Sequence, residues 1–184
     1  ATRFLFLLRT FPDAPGHGPW ATFLLTADTN GGGLRNHPCY GVASHYHWRN
    51  DREMLFYARP EKDARLELLV YDDATGAKTL VNPDFFLSDG HCSYSPDGRW
   101  LLYDSYPDGT TEDYMRSLIL YNLERHEGLT IGRFRSEKVL PGPAADLRCD
   151  LHPRWLPDGQ AVSFDSVHEG YRGLYWADVS GIVG

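Results

Sequence analysis

Asp89-Gly90-His91-Cys92-Ser93-Tyr94-Ser95-Pro96-Asp97-Gly98-Arg99-Trp100 is the stretch that decides the fold. A histidine is followed three residues later by a large aromatic, which leads into a Pro-Asp-Gly turn. The pattern returns as His152-Pro153-Arg154-Trp155-Leu156-Pro157-Asp158-Gly159. A looser copy precedes both, His45-Tyr46-His47-Trp48, with Asn50-Asp51-Arg52 in the place of the turn. Such turns join antiparallel neighbours. A repeat fixes architecture before any single residue is interpreted.

Working outward, helical periodicity is nearly absent, and short apolar runs alternate with Pro, Gly, Asp and Asn clusters. Candidate strands are Phe4–Leu8, Phe23–Thr26, His45–Trp48, Met54–Ala58, Glu67–Tyr71, Cys92–Ser95, Trp100–Asp104, Ser117–Tyr121, Pro153–Leu156, Ala161–Asp165 and Leu174–Asp178. Aligned on the histidines, Met54, Trp100 and Ala161 open matching second strands. Leu69–Asp72, Ile119–Asn122 and Leu174–Asp178 match as third strands. The histidines are 46 and 61 residues apart. A four-stranded antiparallel unit at this period predicts an all-β chain, a β-propeller of about three and a half blades. The boundaries are about 1–43 (partial), 44–88, 89–146 and 147–184. A closed ring needs more blades. The expectation is a C-terminal piece of a larger, seven-bladed ring, with a homodimer that closes one ring as the alternative.

Composition narrows the function classes. The formal net charge of -7 speaks against a general nucleic-acid surface. No run of about 18 apolar residues is present, so no transmembrane helix is expected. Ala1–Thr10 is interrupted by Arg3 and Arg9 and lacks a signal-peptide layout. The chain does not open on Met, which leaves room for an upstream segment. Cys39, Cys92 and Cys149 are odd in number and widely spaced, which reads as reduced thiols in a cytoplasmic protein, with one bridge plus one free thiol, and the periplasm, as the alternatives.

The first strand of a blade lies closest to the axis, so His45, His91 and His152 would converge on a central channel. Imidazoles placed this way suit zinc or manganese. Cys149 stands three residues before His152 and could add sulfur. The competing reading is that these histidines bond backbone at the channel rim and that Cys149 is a small buried apolar residue. Asp104 and Asp165 end the second strands and could orient ligating histidines. His168-Glu169-Gly170 follows on the same loop and could add an acid or base, although solvation explains it as well. Arg9, Arg35, Arg148 and Arg154 are candidate anion contacts, of which only Arg148 adjoins the proposed site in sequence and is the candidate catalytic arginine.

The segments Asp89–Trp100, Arg148–Trp155 and Asp165–Gly170 resemble blades of the oligogalacturonate-lyase-like and TolB-like propellers, over roughly Ser44 to Ser180. The resemblance implies a metal-dependent lyase that cleaves uronate oligosaccharides by β-elimination. It implies His45 as the base and His91 and His152 as metal ligands. Cys149 falls where that family carries a glutamine ligand, and Arg154 where it carries a last metal histidine. A thiolate there would favour zinc over manganese. The other outcome is a TolB-like propeller that only binds an acidic oligosaccharide or a protein partner.

Overall fold

The computed structural model describes residues 2–10, 21–107, 114–136 and 149–184. Two compact units divide the chain between Asp89 and Gly90. Each holds two antiparallel sheets made from consecutive strands.

In the first unit β1 (Arg3–Thr10), β2 (Ala21–Asp28) and β3 (Arg35–His37) form one sheet. The second contains β4 (Ala43–Trp48), β5 (Glu53–Ala58), β6 (Glu67–Asp72) and β7 (Lys78–Leu80). Their facing sides bury Leu24, Met54, Phe56, Ala58, Leu69 and Tyr71, with Leu5, Leu7 and Trp48 at the margin. One carboxylate ties the sheets together. Asp73, just past β6, accepts from Thr26 at 2.5 Å and pairs with Arg3 Nε at 2.5 Å, Arg35 at 3.1 Å and His37 at 3.2 Å. Arg35 is therefore engaged inside the unit.

In the second unit β8 (Cys92–Tyr94), β9 (Trp100–Asp104), β10 (Met115–Asn122) and β11 (Glu127–Arg135) precede β12 (Arg154–Trp155), β13 (Ala161–Ser166) and β14 (Gly173–Asp178). A four-residue helix α1 (Ser180–Val183) closes the unit. Trp100, Leu102, Leu118 and Leu120 pack on Leu151, Val162 and Phe164. Among the described residues no helix is long and apolar enough to cross a membrane.

The three hairpins share one device. Asp97 accepts from the Arg99 N–H, Asp158 from Gln160, and Asn50 from Arg52 and Glu53, at 2.8–3.0 Å. Gly98 and Gly159 hold φ of 72° and 69°, which a side chain rarely adopts. The turn at Asn50 is one residue shorter. Cross-strand partners show it: Glu53 faces Asp72 as Trp100 faces Asn122 and Ala161 faces Asp178. Glu53, not Met54, therefore matches Trp100, a correction of one residue to the sequence alignment. Three strands, the last of their sheets, are expected from the four-stranded unit but have no bounds of their own in the sequence reading. β3 and β7 are three residues long, and β11 carries Gly128 and Gly132 and is mostly exposed.

The same register exposes a contrast. Leu174 and Trp176 face Asp165 and Ser163 as Leu118 and Leu120 face Asp104 and Leu102. Leu118 and Leu120 are 1% and 0% exposed, whereas Leu174 and Trp176 are 76% and 70% exposed. Truncating Leu120→Ala should cost about 2–5 kcal/mol. Trp176→Lys should stay within about 0.5 kcal/mol. Urea midpoints check both, and equal costs would contradict the packing described.

The first unit is also acid-sensitive. Burial pulls the His37 imidazole below its ordinary range, with Asp73 opposing. The unfolded chain therefore takes that proton first, and stability falls as pH drops below about 6.5. Burial alone would raise the Asp73 carboxyl. The Thr26 and Arg3 bonds and the Arg3 and Arg35 charges outweigh it and leave the group low. Its contribution is present at neutral pH and lost on further acidification. Urea midpoints should be flat from pH 7 to 8 and decline below about pH 6.5. His37→Gln should make that first decline shallower.

Candidate metal centre

The site begins with a glycine. A Cβ on Gly90 would lie 1.9 Å from the Asp104 carbonyl oxygen and 2.7 Å from the Tyr103 ring. Only glycine lets the chain pass this close, and the passage delivers His91 onto Asp104. The Asp104 carboxylate, 1% exposed, accepts the His91 backbone N–H at 2.7 Å. It also lies 2.9 Å from the ring Nδ1. A buried carboxylate at that distance draws the proton to Nδ1 and leaves Nε2 with the lone pair, the form a metal takes. Asp104 thus makes the contact to His91 expected of it. Asp165 does not: its carboxylate faces Arg172 at 3.7 Å.

His152 reaches the same place by a different backbone route. Asp104 N–H donates to His91 O, but Asp165 N–H donates to Leu151 O. His152 therefore follows the residue that matches His91, and it sits in the left-handed region at φ 43°. A non-glycine residue there is strained and clusters at functional sites. The imidazole lies 4.0 Å from that of His91, centroid to centroid. Burial and the neighbouring His91 hold it below the ordinary histidine range, so it is neutral at pH 7.

Asp150 completes the group. One donor atom from each of His91, Asp150 and His152 lies within 4.8 Å of the others. Asp150 is buried, and Arg116 from β10 holds its Oδ1 at 2.5 Å. Arg116 donates also to Ser136 at 3.2 Å and lies over the Tyr106 ring at 5.6 Å. The Cys149 thiol is not part of this convergence. It is 2% exposed, points at the Asp150 carbonyl at 3.8 Å, and burial pushes it above the usual thiol range.

His45 belongs to the first unit. β4 carries one extra residue against β5 between Ala43 and Tyr46, a bulge that re-aims side chains. His45 Nδ1 lies 2.9 Å from Asp89 and 3.0 Å from Ser44 Oγ, and the side chain is 23% exposed. Arg148 lies outside the described residues. Arg154 is exposed and bonds its neighbour's carbonyl, Pro153 O, at 2.9 Å.

Asp150 and Arg116 are the two site residues without a sequence expectation. Asp150 had a signal only in standing two residues before His152 in sequence. Arg116 had none, because it lies 34 residues away on another strand.

No protein-family model matches the chain, and no curated protein matches its sequence significantly. Solved structures do match. TolB from Acinetobacter baumannii is 19% identical with a TM-score of 0.69, over 96% of this chain and 39% of its own. An oligogalacturonate lyase from Vibrio parahaemolyticus is 17% identical with a TM-score of 0.58, over 86% and 46%. An oligogalacturonate lyase in complex with manganese is 16% identical with a TM-score of 0.51, over 96% and 62%. The fold is that of a β-propeller segment. The chain spans less than two thirds of the length of each of these structures. The likeness carries the propeller architecture; the residues of the site must carry the chemistry.

Gly90→Ala in this propeller segment should destabilise the second unit by more than about 2 kcal/mol, through overpacking against backbone. Thermal unfolding checks it. A variant as stable as the wild type would mean His91 is not held by this close passage.

Proposed function

We propose that this propeller segment binds a divalent ion through His91, Asp150 and His152 and belongs to a lyase that cleaves uronate-containing oligosaccharides by β-elimination. The observation that carries the reading is the convergence of three buried or half-buried donors within 4.8 Å, with His91 Nδ1 held 2.9 Å from the Asp104 carboxylate. Two imidazole nitrogens and one carboxylate oxygen suit manganese or zinc. Three protein donors leave positions open for a substrate oxygen.

When bound, the ion supplies positive charge that neutralises a substrate carboxylate and stabilises the negative charge that builds there as a proton leaves. The protein does the rest. Asp104 fixes His91, and Arg116 fixes Asp150. His45, paired through Nδ1 with Asp89, is the proposed base. The base takes the proton from the carbon beside the carboxylate. The electron pair becomes a carbon–carbon double bond, and the glycosidic oxygen leaves from the neighbouring carbon and takes up a proton.

A second reading, a non-catalytic scaffold for a protein or glycan, is favoured by one observation. Arg116 already satisfies Asp150 electrostatically at 2.5 Å. Metal content and product formation separate the two. The wild type should carry one manganese or zinc ion, and His91→Ala and His152→Ala should lose it. Asp104→Asn should weaken binding by about 10- to 100-fold. Pectic oligomers should give rising absorbance from unsaturated uronate, abolished in His45→Ala with metal binding intact. A wild type that takes up no stoichiometric ion refutes the metal reading. An ion bound with no product formed favours the scaffold.

A further inference from the structure

We infer that two copies of this chain associate head to tail, the exposed face of β14 in each packing on the exposed face of β1 and β2 in the other. The second unit shows how sheets of this protein pack. Leu102, Leu118 and Leu120 share one face, as the partners Leu118–Asp104 and Leu120–Leu102 require. That face meets the next sheet at Val162 and Phe164 on β13, with Tyr175 and Ala177 of β14 beside them. The first unit repeats the arrangement. Leu24, flanked by Leu5 and Leu7, meets Met54, Phe56, Leu69 and Tyr71. Met54 and Phe56 hold the register positions of Val162 and Phe164, and Leu69 and Tyr71 those of Tyr175 and Ala177. In both units one sheet gives a face and the next receives it.

Two faces are left over, one of each kind. Leu174 and Trp176 occupy the register of Leu118 and Leu120, on a giving face, and both are exposed. On β1 and β2 successive side chains alternate between faces. Leu5, Leu7 and Leu24 point toward β5 and β6, so Phe4, Phe6, Leu8, Phe23 and Leu25 point the other way, Phe6 opposite Leu25 and Leu8 opposite Phe23. This is a receiving face. Phe4, Leu8 and Phe23 are 43%, 51% and 39% exposed, and the Phe4 and Phe6 rings stack at 5.5 Å. An antiparallel sheet with one wet face carries polar residues there. This one is apolar on both faces, and a contiguous apolar patch of this kind marks an interaction site.

The occupant is a second copy because one chain carries both halves of the contact. Trp176 of each copy meets the Phe23 face of the other, which satisfies all four faces with two-fold symmetry. Two copies bring twice four sheets, within the about four to eight that close a propeller. The giving face also has the composition of a subunit contact. Ser163, half-buried, stands where Leu102 stands, and the exposed Arg154 lies opposite it on β12. An apolar centre with a polar border is how separately folded chains meet.

The test uses the full chain. Sedimentation equilibrium of the wild type should give twice the chain mass of 20.9 kDa, with dissociation on dilution. Trp176→Lys and Phe23→Glu should each weaken self-association by at least about tenfold, with far-ultraviolet circular dichroism unchanged. At concentrations where the wild type is monomeric, the urea midpoint of Trp176→Lys should match that of the wild type, which separates association from folding. Mixed together, the two variants should associate more tightly than either alone. One contact is then intact, and the other sets Lys against Glu. Leu8→Glu, on the same face, takes the place of Phe23→Glu if that variant loses its fold. A wild type that stays monomeric at every concentration overturns the inference. Assemblies that grow past the dimer overturn it too, since the contact then fails to close. A folded Phe23→Glu or Leu8→Glu that dimerises like the wild type would mean that β14 does not meet this face, and a mixture no tighter than its components would mean that the two faces do not pair.

Discussion

The second unit depends on one buried carboxylate. Asp104 is 1% exposed, and a charge so placed must be paired or hydrogen-bonded to be tolerated. It meets that demand with the backbone N–H and the imidazole of a single residue, His91. The consequences run outward. The double contact fixes the innermost strand of its sheet against the second strand. It sets the tautomer of His91. It also requires glycine at position 90, because the chain must pass against the Asp104 carbonyl to arrive there.

The rest of the centre is assembled around that fixed imidazole by less regular means. His152 comes from a neighbouring sheet and reaches His91 through a left-handed backbone. Trp155 donates its indole N–H to Ser93 O at 3.2 Å and so fastens the two inner strands beside the cluster. Asp150 is held by a charge of opposite sign, Arg116. Each of these two donors thus has its own charged partner: an anion behind His91, a cation behind Asp150. Such partners tune a metal ligand by orienting it.

The architecture was legible in the sequence because turn chemistry is local. Pro-Asp-Gly at 96–98 and 157–159 names its turn within three residues, and alternating apolar runs flank it. What was not legible depended on length or distance. The hairpin at Asn50 loses one residue, which no composition announces, and the alignment slipped by that residue. β11 hides behind two glycines and an exposed face. Equal spacing placed His91 and His152 at matching positions, and their imidazoles do meet. Yet the backbone shows Leu151 in the role of His91, a displacement set by one strained dihedral. Cys149 drew attention as the chemically distinctive residue of its segment, whereas the neighbouring carboxylate is the one turned to the imidazoles. Arg116 pairs with Asp150 across 34 residues of sequence, a relation only tertiary structure reveals.

The most direct measurement is a crystal structure of the protein with Mn²⁺, collected at a wavelength where manganese scatters anomalously. The account predicts an anomalous peak about 2.0–2.3 Å from His91 Nε2, one His152 ring nitrogen and one Asp150 oxygen, with Asp104 still bonded to His91 Nδ1. No peak at the cluster, with Asp150 held by Arg116 alone and the two imidazoles bonded only to protein, would contradict it.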